Sequence, residues 1–174
     1  MIESKRLLIR PILNEDAKAV FAYRSDAITN QYQGWIPKNL SEVDEFIAKN
    51  PKSINQTDSW FQLVMIEKES DELIGDIGLH FIDEHQVELG CTLSKEVHKL
   101  GYATESLQRV ISFLFETLDK HRITSSIDPL NKPSIDLVER LGFRKEAHFK
   151  ESLLIDGQWV DDIIYAVLKK EWNV

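Results

Sequence analysis

The sequence predicts an α/β fold: one mixed, mostly antiparallel sheet of seven strands with helices on both faces, in the order β-α-α-β-β-β-α-β-α-β-β. Three observations carry this. Apolar residues alternate with a period of two in successive stretches between positions 59 and 94. Between 102 and 118 they recur instead at helical spacing, and the two patterns then alternate toward the end of the chain. At 174 residues the chain can bury a real core, and 1–174 reads as a single domain.

The elements follow in order. Residues 5–10, closed by Pro11, form the first strand. Asn14, Glu15 and Asp16 start a helix, a capping residue ahead of acids that suit the dipole, with Ala17, Val20, Phe21 and Tyr23 inward. A loop with Gly34, Trp35 and Pro37 follows, and Ser41 is expected to cap a helix over 41–49. Strands are expected at 59–68, 72–83 and 86–94, and a helix at 102–118 with Ala103, Leu107, Val110, Ile111, Leu114 and Leu118 on one face. A strand at 122–128 and a helix at 131–141 with Gly142 as its stop lead to two strands, 144–155 and 158–168, around an Asp156-Gly157 turn. Trp60 and Trp159 are expected in the core, and Trp172 is expected to pack down the last strand.

Composition removes several function classes. The net charge of −8 argues against sequence-independent nucleic-acid binding. Cys91 is the only cysteine, so neither an intrachain disulfide nor a multi-cysteine metal site exists, and the scattered histidines offer no metal ligand set. The opening MIESKRLLIRP lacks a signal-like apolar run, and no stretch approaches the roughly 20 apolar residues of a membrane span. A cytoplasmic protein without membrane attachment, monomer or homodimer, is the expectation.

The stretch HKLGYATESL, from His98, joins a strand to the clearest helix. The first N–H groups of a helix lack internal partners, and the dipole there favours negative charge. Gly101 lets a ligand approach the backbone, Ala103 and Thr104 keep the way clear, and Lys99 adds charge. An anion site and a plain turn are both compatible with the stretch by itself.

Taken with ELGCTLSKE before it, HRITSSIDPLNKPSIDLVERLGFRKE after it and DGQW…YAVLKKEW at the end, the chain resembles the GNAT superfamily of acyl-CoA-dependent N-acetyltransferases. It is nearest to the group that includes ribosomal-protein-alanine N-acetyltransferases. The family's Gln/Arg-x-x-Gly-x-Gly/Ala signature maps onto His98, Gly101 and Ala103, with Lys99 in place of a common extra glycine. The resemblance implies that the loop from His98 through Lys99, Leu100, Gly101, Tyr102 and Ala103 to Thr104 holds the pyrophosphate of acetyl-CoA, a cosubstrate. It also implies a bulged strand at 86–94 that splays from 122–128, with backbone groups near Cys91 and Leu93 pairing with the pantetheine arm and holding the thioester carbonyl. Asn131 would reach the pantetheine amide, or cap its helix, or both. Many members place a proton-donating tyrosine later on this helix. At that position stands Val138, so either Ser134, expected beside the sulfur, or water takes the role, or protonation needs no dedicated acid.

The base is approached through register. Matching Ile77, Leu79 and Phe81 to Val87, Leu89, Cys91 and Leu93 on one face requires an odd number of unpaired residues between the strands, such as Glu84-His85-Gln86. Asp76, His80, Glu88 and Thr92 then share the opposite face, where a partly wet cleft or local ion pairing would account for them. Glu88 is the expected base for an incoming ammonium, with His80 as second choice. The amine would attack acetyl-CoA directly and without metal. Tyr32 and Trp35 are candidate walls for the acceptor, unless they simply anchor their loop. A protein N-terminal α-amine is the favoured acceptor. A small amine (polyamine, amino sugar or antibiotic) and a non-catalytic CoA-sensing module are the alternatives.

Overall fold

The computed structural model describes residues 1–155 and 157–173, so Asp156 of the expected turn lies outside the described residues. Eight strands form one sheet: β1 (Ile2–Glu3), β2 (Leu7–Pro11), β3 (Ser59–Glu67), β4 (Leu73–Phe81), β5 (Gln86–Leu93), β6 (Arg122–Ile127), β7 (Arg144–Ile155) and β8 (Gln158–Leu168). Their spatial order is β1-β2-β3-β4-β5-β6-β8-β7. The short β1, where Ile2 sits across from Ile9, is the strand that the seven-strand expectation lacks. Every neighbouring pair is antiparallel except β5 and β6, which run parallel.

Among the described residues four α-helices cover the sheet: α1 (Ala17–Arg24), α2 (Leu40–Ala48), α3 (Tyr102–Ser112) and α4 (Lys132–Arg140). The main core lies under α3 and α4, where Leu107, Val110, Ile111, Leu114 and Val138 meet Ile77, Leu79, Val87 and Leu89. Ala17, Val20 and Tyr23 of α1 and Val43 and Ile47 of α2 make a second cluster with Val64.

Several local expectations shift. Asn14–Asp16 is a 3-10 turn, because Asp16 turns inward to accept both Nη groups of Arg10, each at 2.7 Å. Asn39, not Ser41, caps α2: its Oδ1 accepts from Glu42 N–H at 3.1 Å while Glu42 accepts from Lys38 N–H at 2.9 Å. The predicted helix 102–118 is α-helical only to Ser112. A π-turn over Phe113–Thr117 follows, with Leu114 and Phe115 both buried and Phe115 set against Trp172. Trp172 also donates from its indole to Ser112, as a chain end packed down would. Gly142, at φ +85°, stops α4. Trp60 and Trp159 are not core residues: they are 47% and 61% exposed. Their strands leave part of one sheet face open, and period-two alternation cannot tell an open face from a covered one.

Candidate active site

β5 and β6 are hydrogen-bonded neighbours only from Gln86/Arg122 to Glu88/Thr124. One further tie, Ser125 Oγ donating to the Leu89 carbonyl at 3.0 Å, marks where they part. Beyond it the β5 edge is open toward β6, and a cleft of about 620 Å³ lies between Cys91, Thr92 and Leu93 on one side and Asn131, Pro133, Ser134 and Leu137 on the other. The splay is present without the expected bulge, since the register of β5 on β4 runs unbroken from Gly75/Leu93 to Phe81/Val87.

The loop 98–104 closes one end of this cleft. Lys99 and Gly101 both occupy the left-handed region, at φ +64° and +86°. Such alternation turns successive N–H groups toward one side and makes an anion-binding concavity. The first α3 bond runs from Glu105 N–H to the Gly101 carbonyl at 3.0 Å, so the N–H groups of Tyr102, Ala103 and Thr104 have no helical partner. Side chains brace this backbone. Arg6 donates to the Leu100 carbonyl (3.0 Å) and to Glu105 (2.7 Å), and its guanidinium lies 4.0 Å over the Tyr102 ring. Tyr102 is buried, its hydroxyl donating to Glu67, so it offers the loop an N–H and no hydroxyl. Leu100 is 55% exposed and contributes its carbonyl. His98 Nε2 lies 3.1 Å from the Leu93 carbonyl and fastens the loop to the end of β5. The open edge, the concavity and the helix start fit an extended thioester that ends in a pyrophosphate.

Asn131 caps α4, its Oδ1 accepting from Ser134 N–H at 3.3 Å, and both residues line the cleft. Val138, where the resemblance called for a tyrosine, is 3% exposed and faces the core. Leu137 and Arg140 line the cleft instead, and Arg140 reaches Thr104 Oγ1 at 3.3 Å.

The other face of β5 borders a second cleft of about 490 Å³, which shares Tyr32, Cys91 and Thr92 with the first. The expected sharing of faces holds, while the pairing is shifted: Ile77 pairs with Cys91, Leu79 with Leu89, and His80 sits opposite Glu88, each two residues from the partner that a Glu84-His85-Gln86 turn would give. The three turn residues are Asp83-Glu84-His85, one place earlier than expected, because Asp83 accepts from the N–H groups of both His85 and Gln86 at 2.7 Å. Glu88 lines this cleft and no hydrogen bond holds its carboxylate among the described residues. Burial raises its pKa above the ordinary value, Asp162 adds to the rise, and His80 opposes it. His80 is stacked on Trp60, with centroids 4.9 Å apart.

Asp76 departs from the wet-cleft expectation. It is 1% exposed and held by Arg24 through bonds of 2.8 and 2.6 Å and by the Tyr23 hydroxyl. Burial works against the Arg24 charge, but Asp76 outweighs it and the guanidinium pKa is raised. The Cys91 thiol is pushed up to about 12, first by desolvation and then by Asp76, so it stays neutral. Trp35 stacks on Phe46 at 4.5 Å within the α1–α2 cluster and walls neither cleft, whereas Tyr32 lines both.

Sequence reasoning missed Arg6, Arg140, Gln62, Asp128 and Asp162, all at or beside the clefts. Glu105 carried a partial signal as an acid in a helix first turn. Its partners Ser4 and Arg6 lie about a hundred positions away, with nothing local to announce them.

The family model described as "Acetyltransferase (GNAT) domain" matches residues 6–144. The uncharacterized N-acetyltransferase YnaD of Bacillus subtilis is 32% identical over 173 residues, covering 99% of each chain. The [ribosomal protein uS5]-alanine N-acetyltransferase of Escherichia coli is 31% identical over 143 residues, 80% of this chain and 69% of that one. A GNAT-family acetyltransferase structure from Bacillus anthracis superposes with a TM-score of 0.89 at 29% identity, covering 98% and 99% of the two chains. The spermidine N-acetyltransferase of Vibrio cholerae, solved with CoA and spermine, shares the fold at a TM-score of 0.82 and 20% identity, covering 95% and 97%.

Proposed function

The chain belongs to the GNAT family of acetyl-CoA-dependent N-acetyltransferases, and from that premise we propose that it acetylates a primary amine entering through the acidic cleft, with a protein N-terminal α-amine as the favoured acceptor. The observation that carries this reading is the junction of the two clefts at Cys91 and Thr92, with Glu88 on the acceptor side. Acetyl-CoA supplies the activated acetyl group. On this reading the concavity from Lys99 to Thr104 binds its pyrophosphate, and the open N–H groups of β5 align its arm and polarise the carbonyl.

Glu88 takes the proton from the ammonium. Its raised pKa narrows the gap to either amine alike, and the gap that remains is smaller for an α-amine, of pKa about 8, than for a lysine side chain near 10.4, which favours the former. Leu153 and Ile155 of the last hairpin line the cleft and stay 40% and 39% exposed, a rim on which residues following an N-terminus can rest. Glu88, Asp128, Asp161 and Asp162 also line it, and this favours a small polycation as the second reading. Ser134, one turn into α4 in the cofactor cleft, is the side chain offered to the departing thiolate.

The test is thiol release from acetyl-CoA across free-N-terminal peptides, polyamines and amino sugars, with CoA affinity measured in parallel. Turnover on peptides, lost in Glu88→Gln with CoA binding intact, is the expected result. Turnover confined to polyamines would favour the second reading. CoA binding without release on any amine would overturn the proposal.

A further inference from the structure

Gln62 is an uncommon residue for the middle of a buried strand. It is 7% exposed, its Oε1 is fully buried, and that oxygen has no hydrogen-bond partner among the described residues. An orphaned buried acceptor costs stability, so native folds hold few of them, and those that persist have a reason. This one lines the acceptor cleft with Glu88, and its register position opposite Gly78 puts it on the same face as His80 and Asp76.

The surroundings hold the amide in place without satisfying it. The Gln62 N–H donates to Asn50 Oδ1 at 2.7 Å, and its carbonyl accepts from Ile12 N–H at 3.1 Å. The side chain crosses the space that a side chain at position 78 would occupy. A Cβ there would stand 3.0 Å from Nε2, 3.3 Å from Oε1 and 3.2 Å from the Trp60 ring. A glycine that clears room for the amide and a fixed backbone beneath it make a built feature.

We infer that Gln62 selects the acceptor: its terminal amide turns about the last side-chain bond, so that the carbonyl buried in the free protein accepts a hydrogen bond from a second N–H of the substrate, near the nitrogen being acetylated. The inference rests on the acidic cleft being the acceptor site. Two chemistries supply such an N–H, the first peptide amide after a free N-terminus and the second nitrogen of a diamine. Gln62 touches neither the transferred group nor the proton, so it is a positioning residue.

Two pairs of probes separate the sources: alanyl-alaninamide against its ester analogue alanyl-lactamide, and propane-1,3-diamine against (3-aminopropyl)trimethylammonium. The first pair replaces the amide N–H by oxygen, and the second methylates the distal nitrogen so that its N–H groups go while its charge stays. The wild-type protein should favour the N–H probe of one pair by roughly tenfold in kcat/KM, mostly through KM, and that pair names the source. Gln62→Leu should bring that ratio to about one while raising Tm, because an unpaired buried acceptor has gone. A purely structural glutamine, or one bonded only to water, predicts no such ratio in the wild-type protein. A missing preference, or one that survives in Gln62→Leu, overturns the inference and leaves the acceptor reading standing if Glu88→Gln still abolishes turnover. Failure of both Gln62→Leu and Gln62→Met to fold marks the residue as structural and overturns it too. No acetylation of any of the four probes by the wild-type protein overturns the acceptor reading together with the inference.

Discussion

The two clefts that meet at Cys91 and Thr92 are made of different material. The larger is lined by backbone at its critical places: the open β5 edge, the left-handed residues Lys99 and Gly101, and the start of α3. The smaller is lined by side chains, with Gln62, Glu88, Asp128 and Asp162 drawn from four separate segments. A cosubstrate common to a whole family can be read by backbone, which changes little with sequence. An acceptor must be read by side chains, which sequence changes freely. Substitutions should therefore act differently on the two sides.

The largest effect is expected where the acceptor side is anchored. Asp76→Ala would leave the Arg24 guanidinium buried and unpaired, and breaking such a pair costs about 3–5 kcal/mol. Urea unfolding should show this loss. CoA affinity of the remaining folded fraction should change little, and a parallel collapse of CoA binding would break the distinction between the two sides.

Next comes Glu88→Gln, expected to lower kcat by about a hundredfold. In the wild-type protein the acid limb of the pH–rate profile should fall as pH drops through the raised pKa of Glu88, and the variant should lose that limb. The stability effect has the opposite sense. A carboxyl whose pKa is higher folded than unfolded binds its proton better in the native state, so its contribution worsens as pH rises between the two values. Glu88→Gln should thus raise Tm at neutral pH, and the gain should vanish in acid below the unfolded pKa. A Ser134→Ala loss as large as that of Glu88→Gln would show that side chains matter equally in both clefts.

How legible each side was follows from the same contrast. A backbone site is spelled in consecutive residues, so HKLGYATESL announced the loop, and the following helix pattern fixed its direction. The sharing of faces could also be read, because matching apolar residues across β4 and β5 allows only an odd turn, and this put Glu88 on one face with His80, two residues out of the pairing that forms. The position of that turn was off by one because it is set by Asp83, whose carboxylate bonds carry no periodicity. Gln62 read only as a strand residue, since its meaning depends on Gly78 across the sheet. Val138 was aligned to a tyrosine position by resemblance, but helix phase turns it into the core.

A smaller effect is expected in the loop, of conformational origin. Gly101→Ala would bring its Cβ no closer than 3.5 Å to Arg6, an ordinary contact, so space does not forbid it. The φ of +86° does, at about 1–2 kcal/mol for an L-residue. CoA affinity should fall by roughly tenfold as the loop relaxes, measured by calorimetry. Gly101→Glu should weaken it further by placing a charge against the phosphates.

The smallest and most discriminating change is Lys99→Gly. Lys99 sits at φ +64°, where the family's extra glycine would be at ease, so the substitution relieves about 1–2 kcal/mol of backbone strain. Glycine returns about 0.5–1 kcal/mol through the greater freedom of the unfolded chain, which leaves a slight net stabilisation. The lysine charge is exposed, and its attraction for a phosphate is worth about 0.2–1 kcal/mol, screened by salt. The variant should therefore melt slightly higher and bind CoA a few-fold more weakly at low ionic strength, with the difference fading at high salt. A larger loss that persists in high salt would mean that the Lys99 side chain, and not the backbone it strains, is what holds the pyrophosphate.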